Sequence, residues 1–87
     1  MLRVERTSNG EVIFTLSGRM DEKSIPDLET LLSSEAPGRP VVLDLKDVTL
    51  INDDGVVFLS RCEAEGIALN NCPAYIREWI TKQRRVS

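Results

Sequence analysis

The 87-residue sequence predicts an α/β fold in a single domain spanning residues 1–87: a mixed sheet with a parallel core and helices packed on it. Three observations lead there. Apolar residues alternate on either side of Asn9-Gly10, which gives an opening β-hairpin. The run Pro40-Val41-Val42-Leu43-Asp44-Leu45 is almost wholly apolar, the mark of a strand covered on both faces in a parallel sheet. Around that run the hydrophobic spacing changes from two to 3.6, so that strands and helices alternate.

In chain order, Leu2 and Val4 alternate with Arg3 and Glu5, and Val12, Phe14 and Leu16 with Glu11, Ile13, Thr15 and Ser17. Asn9-Gly10 between them is the dipeptide favoured in two-residue hairpin turns, where both positions tolerate positive φ. Gly18 is expected to end the second strand. Over residues 21–35 the period becomes helical, with Ile25, Leu28, Leu31 and Leu32 on one face. Either Asp21 or Ser24 can cap this helix. Pro26 favours Ser24, since proline is tolerated only in the first turn. The breaker Ala36-Pro37-Gly38 stops it.

The central strand follows a strand and a helix, so a right-handed βαβ crossover is expected. Lys46-Asp47 interrupts that strand, and Val48 to Ile51 leads on to Asn52-Asp53-Asp54-Gly55. A second helix is expected over residues 54–65, with Phe58, Leu59 and Cys62 buried and Val56 or Val57 extending one edge. Gly66 suits the left-handed position after its end. Ile67-Ala68-Leu69 reads as a short strand parallel to the central one. Pro73 opens a third helix whose shared face holds Tyr75, Ile76, Trp79 and Ile80. The packing of this face accounts for the aromatic pair more simply than cofactor stacking does.

Composition narrows the function classes. Apolar residues make up 41 % and charged residues 29 %, as in a soluble globular domain, and the net charge is −3. Lys82, Arg84 and Arg85 read as a solvated helix end favoured by the helix dipole, so nucleic acid is not the expected partner. No run of about 18 apolar residues exists to span a bilayer, and no signal-peptide core stands at the start, so a cytoplasmic location without membrane insertion is expected. Cys62 and Cys72 lack metal-site spacing and the chain has no His, so no metal and no cofactor is expected; both thiols read as small buried apolar groups. A core this small argues for a binding module rather than a deep catalytic cleft.

Asn52-Asp53-Asp54-Gly55 is the one stretch where polar residues are set out as a group. Asn and Asp are good N-caps, and a carboxylate there gains about 0.3–1 kcal/mol from the helix dipole. Capping alone is therefore one reading. Another is a Mg²⁺-binding or phosphoryl-accepting site at Asp53/Asp54, since α/β folds place ligands at the C-terminal edge of parallel strands.

A third reading comes from likeness. Residues 41–59 join an apolar strand with Asp-Leu, an acidic loop ending in Gly, and an apolar helix. They resemble the core of the STAS family, which comprises bacterial anti-sigma-factor antagonists and the cytoplasmic domains of sulfate transporters. Leu16-Ser17-Gly18-Arg19-Met20-Asp21 resembles the family's strand end, glycine and helix lead-in, and the likeness covers most of residues 10–70. In regulatory members the loop resembles Asp-Ser-Ser/Thr-Gly, and an anti-sigma factor with kinase activity phosphorylates the hydroxyl before Gly. Here Asn52 stands at the leading Asp, Asp53 at the first Ser and Asp54 at the phosphorylated hydroxyl; Gly55 alone is kept. Asp54 accepts no phosphate from a serine kinase, and it carries one negative charge against about 1.5 to 2 for phosphoserine. The resemblance also implies a fold shortened at the C-terminus, because residues 71–80 stand where the family has its last strand and long helix. That leaves a sheet edge or helix face open to a partner or a second copy, as in a homodimer.

The resulting expectation is a non-catalytic, protein-binding regulatory module, with an anti-sigma factor or a related kinase-like regulator as partner. The expected surface comprises Asn52, Asp53, Asp54, Gly55 and Val56 with the lead-in residues Met20, Asp21 and Ser24. Alternatives are the acidic chemical site and an accessory subunit of a membrane transport system.

Overall fold

The turn between the first two strands is set by which side chains must reach the core. The structure, a computed structural model, describes residues 2–35 and 38–86, with the backbone alone at 84–86. β1 (Leu2–Asn9) and β2 (Glu11–Met20) are antiparallel, with Val4 opposite Leu16 and Ser8 opposite Val12. The hairpin is thus centred on Gly10, at φ 82°, and not on the two-residue Asn9-Gly10 loop expected. A two-residue loop would set Val4 opposite Thr15, on the far face. The observed register puts Leu2 and Val4 beside Val12, Phe14 and Leu16, where they pack on the core.

β2 also runs past its expected end. Gly18 takes φ 97°, the pairing slips beside it, and the strand continues to Met20. Its parallel neighbour β3 (Val41–Ile51) is continuous through Lys46-Asp47, which was expected to break it. Thr15 pairs with Asp44 but Ser17 with Asp47; Gly18 pairs with Val48 but Arg19 with Leu50. Each step inserts an extra residue in β3, so the apparent break is a bulge. The bulges change the spacing of core positions: Leu43 and Leu45 are two apart, then Val48 and Ile51 follow at intervals of three. An Asp44 carboxylate oxygen accepts from the Lys46 N–H at 3.1 Å inside the first bulge.

β4 (Ala68–Asn70) pairs in parallel with Val42–Asp44, giving the order β1-β2-β3-β4. The expected fold class is therefore observed: among the described residues, a mixed four-stranded sheet, antiparallel at one pair and parallel elsewhere, with three helices. Strands 2, 3 and 4 advance in one direction, and crossovers of one hand then place their helices on one face. α1 (Ile25–Ser33), α2 (Asp53–Ala64) and α3 (Ala74–Val86) all enter a single apolar cluster with Phe14, Leu16, Leu43 and Leu45. They contribute Leu28 from α1, Phe58, Leu59 and Cys62 from α2, and Ile76 and Ile80 from α3.

α1 begins after Ser24, the favoured of its two expected starts, with Pro26 in the first turn. Leu28 is buried and Ile25 and Leu32 pack partly on the core, whereas Leu31 is exposed, at the margin of the stripe. The expected stop at Ala36-Pro37 lies outside the described residues. α2 ends as Gly66 predicts, in a Schellman motif: Gly66 (φ 94°) donates its N–H to the Glu63 carbonyl and Ile67 to that of Cys62. At the start of α3 the Pro73 carbonyl accepts from the N–H groups of Ile76 and Arg77. Ile76 and Ile80 are buried and Trp79 is half-buried, but Tyr75 is 51 % exposed, so packing does not pin it as expected. Arg77 reaches both Glu63 carboxylate oxygens, at 2.8 and 3.0 Å, and ties α3 to α2. Cys62 is buried as expected, its thiol pushed up to about 12 by desolvation, while Cys72 is only partly buried. The side chains of Arg84 and Arg85 lie outside the described residues.

Candidate functional site

The C-terminal ends of β2 and β3 are paired through Met20 and Ile51, and just beyond them the Asn52 N–H donates to the Met20 carbonyl at 3.3 Å. Asn52 then leaves the sheet in an extended conformation (φ −111°, ψ −176°) and caps α2. Its Oδ1 accepts from the Gly55 N–H at 3.1 Å, and its carbonyl accepts from the Val56 N–H. The side chain thus answers one of the free donors of the first turn, while the carbonyl takes the first regular bond of the helix. The other end of the same amide is also engaged: Asn52 Nδ2 donates to Glu22 Oε2 at 2.7 Å. One side chain caps α2 and fastens it to the lead-in of α1.

Gly55 allows this close fit. A Cβ at this position would lie 2.7 Å from Ile51 Cγ1 and 3.1 Å from Met20 Cγ. The first turn of α2 is therefore pressed against the strand ends, and only a residue without a side chain admits that distance. Gly55 is needed here for space: it is not among the glycines with positive φ.

Asp53 and Asp54 follow the cap on the outer side of the first turn, and both are exposed. Among the described residues neither carboxylate takes part in a hydrogen bond or ion pair. Two negative charges thus stand at the positive end of α2 without serving the fold as partners of other side chains. Among the described residues, no three His, Cys, Asp or Glu side chains gather as a metal cage would require.

Not every expected residue presents its side chain here. Val56 and Met20 are fully buried in the core, so neither offers contact area to a partner. For Val56 the reason is helical phase. Val56, Leu59 and Cys62 share the inward face, which leaves Val57 outside, 42 % exposed, one turn beyond Asp53 and Asp54. Asp21 lies in the lead-in turn, its Oδ1 accepting from the Lys23 N–H at 3.0 Å and the Ser24 hydroxyl at 3.4 Å. Ser24 is the N-cap of α1 by position, yet its side chain makes no capping bond. Asp21 and Ser24 also border a groove of about 520 Å³ between β1 and α1. Its apolar lining is Leu2, Val4 and Leu28, with Arg19, Lys23 and Asp27 on the rim.

Sequence reasoning missed Glu22 and Val57. Nothing in local spacing marks Glu22, because its partner lies 30 residues away. Val57 was legible: carried back one turn from Arg61, the exposed face reaches it.

No protein-family model matches the chain, and no curated protein matches it by sequence. Among solved structures, one described as Mglu superposes with a TM-score of 0.57 at 26 % identity, covering 83 % of this chain and 19 % of that one. The chain therefore spans about a fifth of that protein's length. Another, described as an uncharacterized protein with a SpoIIAA-like fold from Shewanella loihica, aligns over 95 % of this chain and 76 % of its own. Its TM-score of 0.49 and 14 % identity are too low to place any feature of the present site.

Proposed function

We propose that this chain is a STAS-type module that binds another protein through the exposed start of α2 and has no catalysis of its own. One observation carries the reading. Asn52 alone does the capping, and the adjacent Asp53 and Asp54 carboxylates are left to solvent on a rigidly held turn. Carboxylates that served only as caps would be turned back onto the first-turn N–H groups. Free carboxylates on a fixed turn suit an approaching positive surface, where charge sets on-rate and partner choice. Val57 adds apolar area beside them. The resemblance of residues 10–70 to anti-sigma-factor antagonists gives the partner class: an anti-sigma factor or a related kinase-like regulator.

In that family's regulatory loop the hydroxyl before Gly is the switch. With Asp54 at that position the module has fixed charge and no phosphorylation there. Affinity capture from native extract tests the reading with wild type, Asp54→Ser and Asp53→Asn/Asp54→Asn side by side. The expected result is a protein retained by wild type and lost by the double Asn variant. A further protein gained by Asp54→Ser would mark the carboxylate as standing in for phosphate. Equal retention by all three would reduce these residues to helix-start charges and remove the proposed surface.

A further inference from the structure

At the opposite end of the sheet, roughly 30 Å along β3 at about 3.3 Å per residue, the C-terminal halves of α1 and α2 leave a groove of about 500 Å³. Leu32, Val41, Phe58 and Ile67 line it with apolar surface. Leu32, Val41 and Ile67 are only partly buried, so this lining is not closed off by the chain's own packing.

Acidic groups outnumber basic ones around the groove. Both helices end here, and a helix carboxyl end carries roughly half a negative charge. α1 has no basic residue in its last turn, and α2 has Arg61 alone. Glu29, Glu35 and Glu65 stand on the rim. Glu35 is engaged by Arg6 at 3.0 Å, but Glu29 and Glu65 form no ion pair among the described residues. Cys62, which borders the groove, has its ionisation opposed first by desolvation and then by Glu65, with Arg61 acting the other way and Glu29 adding to Glu65.

We propose that this groove docks a segment of a partner protein carrying a Lys or Arg beside an aliphatic residue. Apolar lining under an acidic rim matches the anatomy of those side chains, which have an aliphatic stem and a cationic tip. A purely apolar segment would leave Glu29 and Glu65 facing hydrocarbon, and an acidic one would be repelled. This surface is separate from the Asp53–Asp54 turn and does not rest on the function proposed for it.

The test is an amide-shift titration of the ¹⁵N-labelled protein with an amphipathic Leu/Lys peptide, and in parallel with its Leu/Glu counterpart. Shifts from the Leu/Lys peptide centred on Leu32, Arg61 and Ile67 are expected, with the Leu/Glu peptide silent. Glu29→Lys/Glu65→Lys, at two exposed positions, is expected to weaken binding about tenfold or more. Asp53→Asn/Asp54→Asn is expected to change it less than about twofold. Shifts centred on residues 52–57, equal response to both peptides, no response to either, or indifference to the Glu29/Glu65 substitutions would each overturn the proposal. Only shifts centred on residues 52–57 would bear on the Asp53–Asp54 surface at the other end of the sheet, by placing the cationic peptide there; the remaining outcomes leave that surface untouched.

Discussion

The two helices that meet at the acidic loop begin in different ways. α2 is entered from a strand, with Asn52 extended, and its side chain reaches forward to the Gly55 N–H. α1 is entered from a turn, with Ser24 already in a helical conformation (φ −83°, ψ −25°), and its hydroxyl points back to Asp21. Both residues are good capping types; only one caps. The difference lies in the backbone, since a cap needs non-helical torsions to aim its oxygen at the first turn. Pro26 lessens the need in α1, because it removes one of the free N–H groups that a cap would answer. The start of α2 is consequently held from both sides, whereas that of α1 depends on the Asp21 turn and on Glu22.

Four substitutions test this contrast. Gly55→Ala forces a Cβ to within 2.7 Å of Ile51 and is expected to cost about 1–3 kcal/mol in urea unfolding. An unchanged midpoint would mean that α2 is not pressed on the strand ends. Asn52→Ala removes the cap and the bond to Glu22 together, with an expected loss of about 1–2 kcal/mol. Glu22→Ala takes away only the fastening and leaves the cap, so roughly 0.5–1.5 kcal/mol is expected by the same assay. A loss as large as that of Asn52→Ala would assign the effect to the link between the helices and not to capping. Ser24→Ala is the smallest, within about 0.5 kcal/mol, because it deletes only a long bond to Asp21. If it matched Asn52→Ala, the two helix starts would be equivalent and the contrast would fail.

The legibility of the site follows the range of the forces involved. A cap among Asn52, Asp53 and Asp54, Gly66 as a helix end and the inward Phe58, Leu59 and Cys62 are written within a few residues of one another and are found, the cap falling to Asn52 and the helix starting one residue before its expected start. Lys46-Asp47 looked like a break because two successive charges oppose strand alternation. They sit in β3 because β3 is bulged against β2, a fact that involves residues some 30 positions away. Val56 and Met20 were placed on the surface by proximity to the loop. The burial of Met20 follows from α2 lying against the strand ends, which no local pattern reveals; that of Val56 follows from its helical phase with Leu59 and Cys62.

By itself, the sequence determined the alternation of strands and helices, the parallel core and the acidic helix start, because periodicity, capping and breaker residues act over one or two turns of chain. Tertiary structure alone decided the hairpin register, the two bulges, the bond between Glu22 and Asn52, and the opening between the ends of α1 and α2. Those depend on which faces must be buried together, and burial is settled only when distant segments meet.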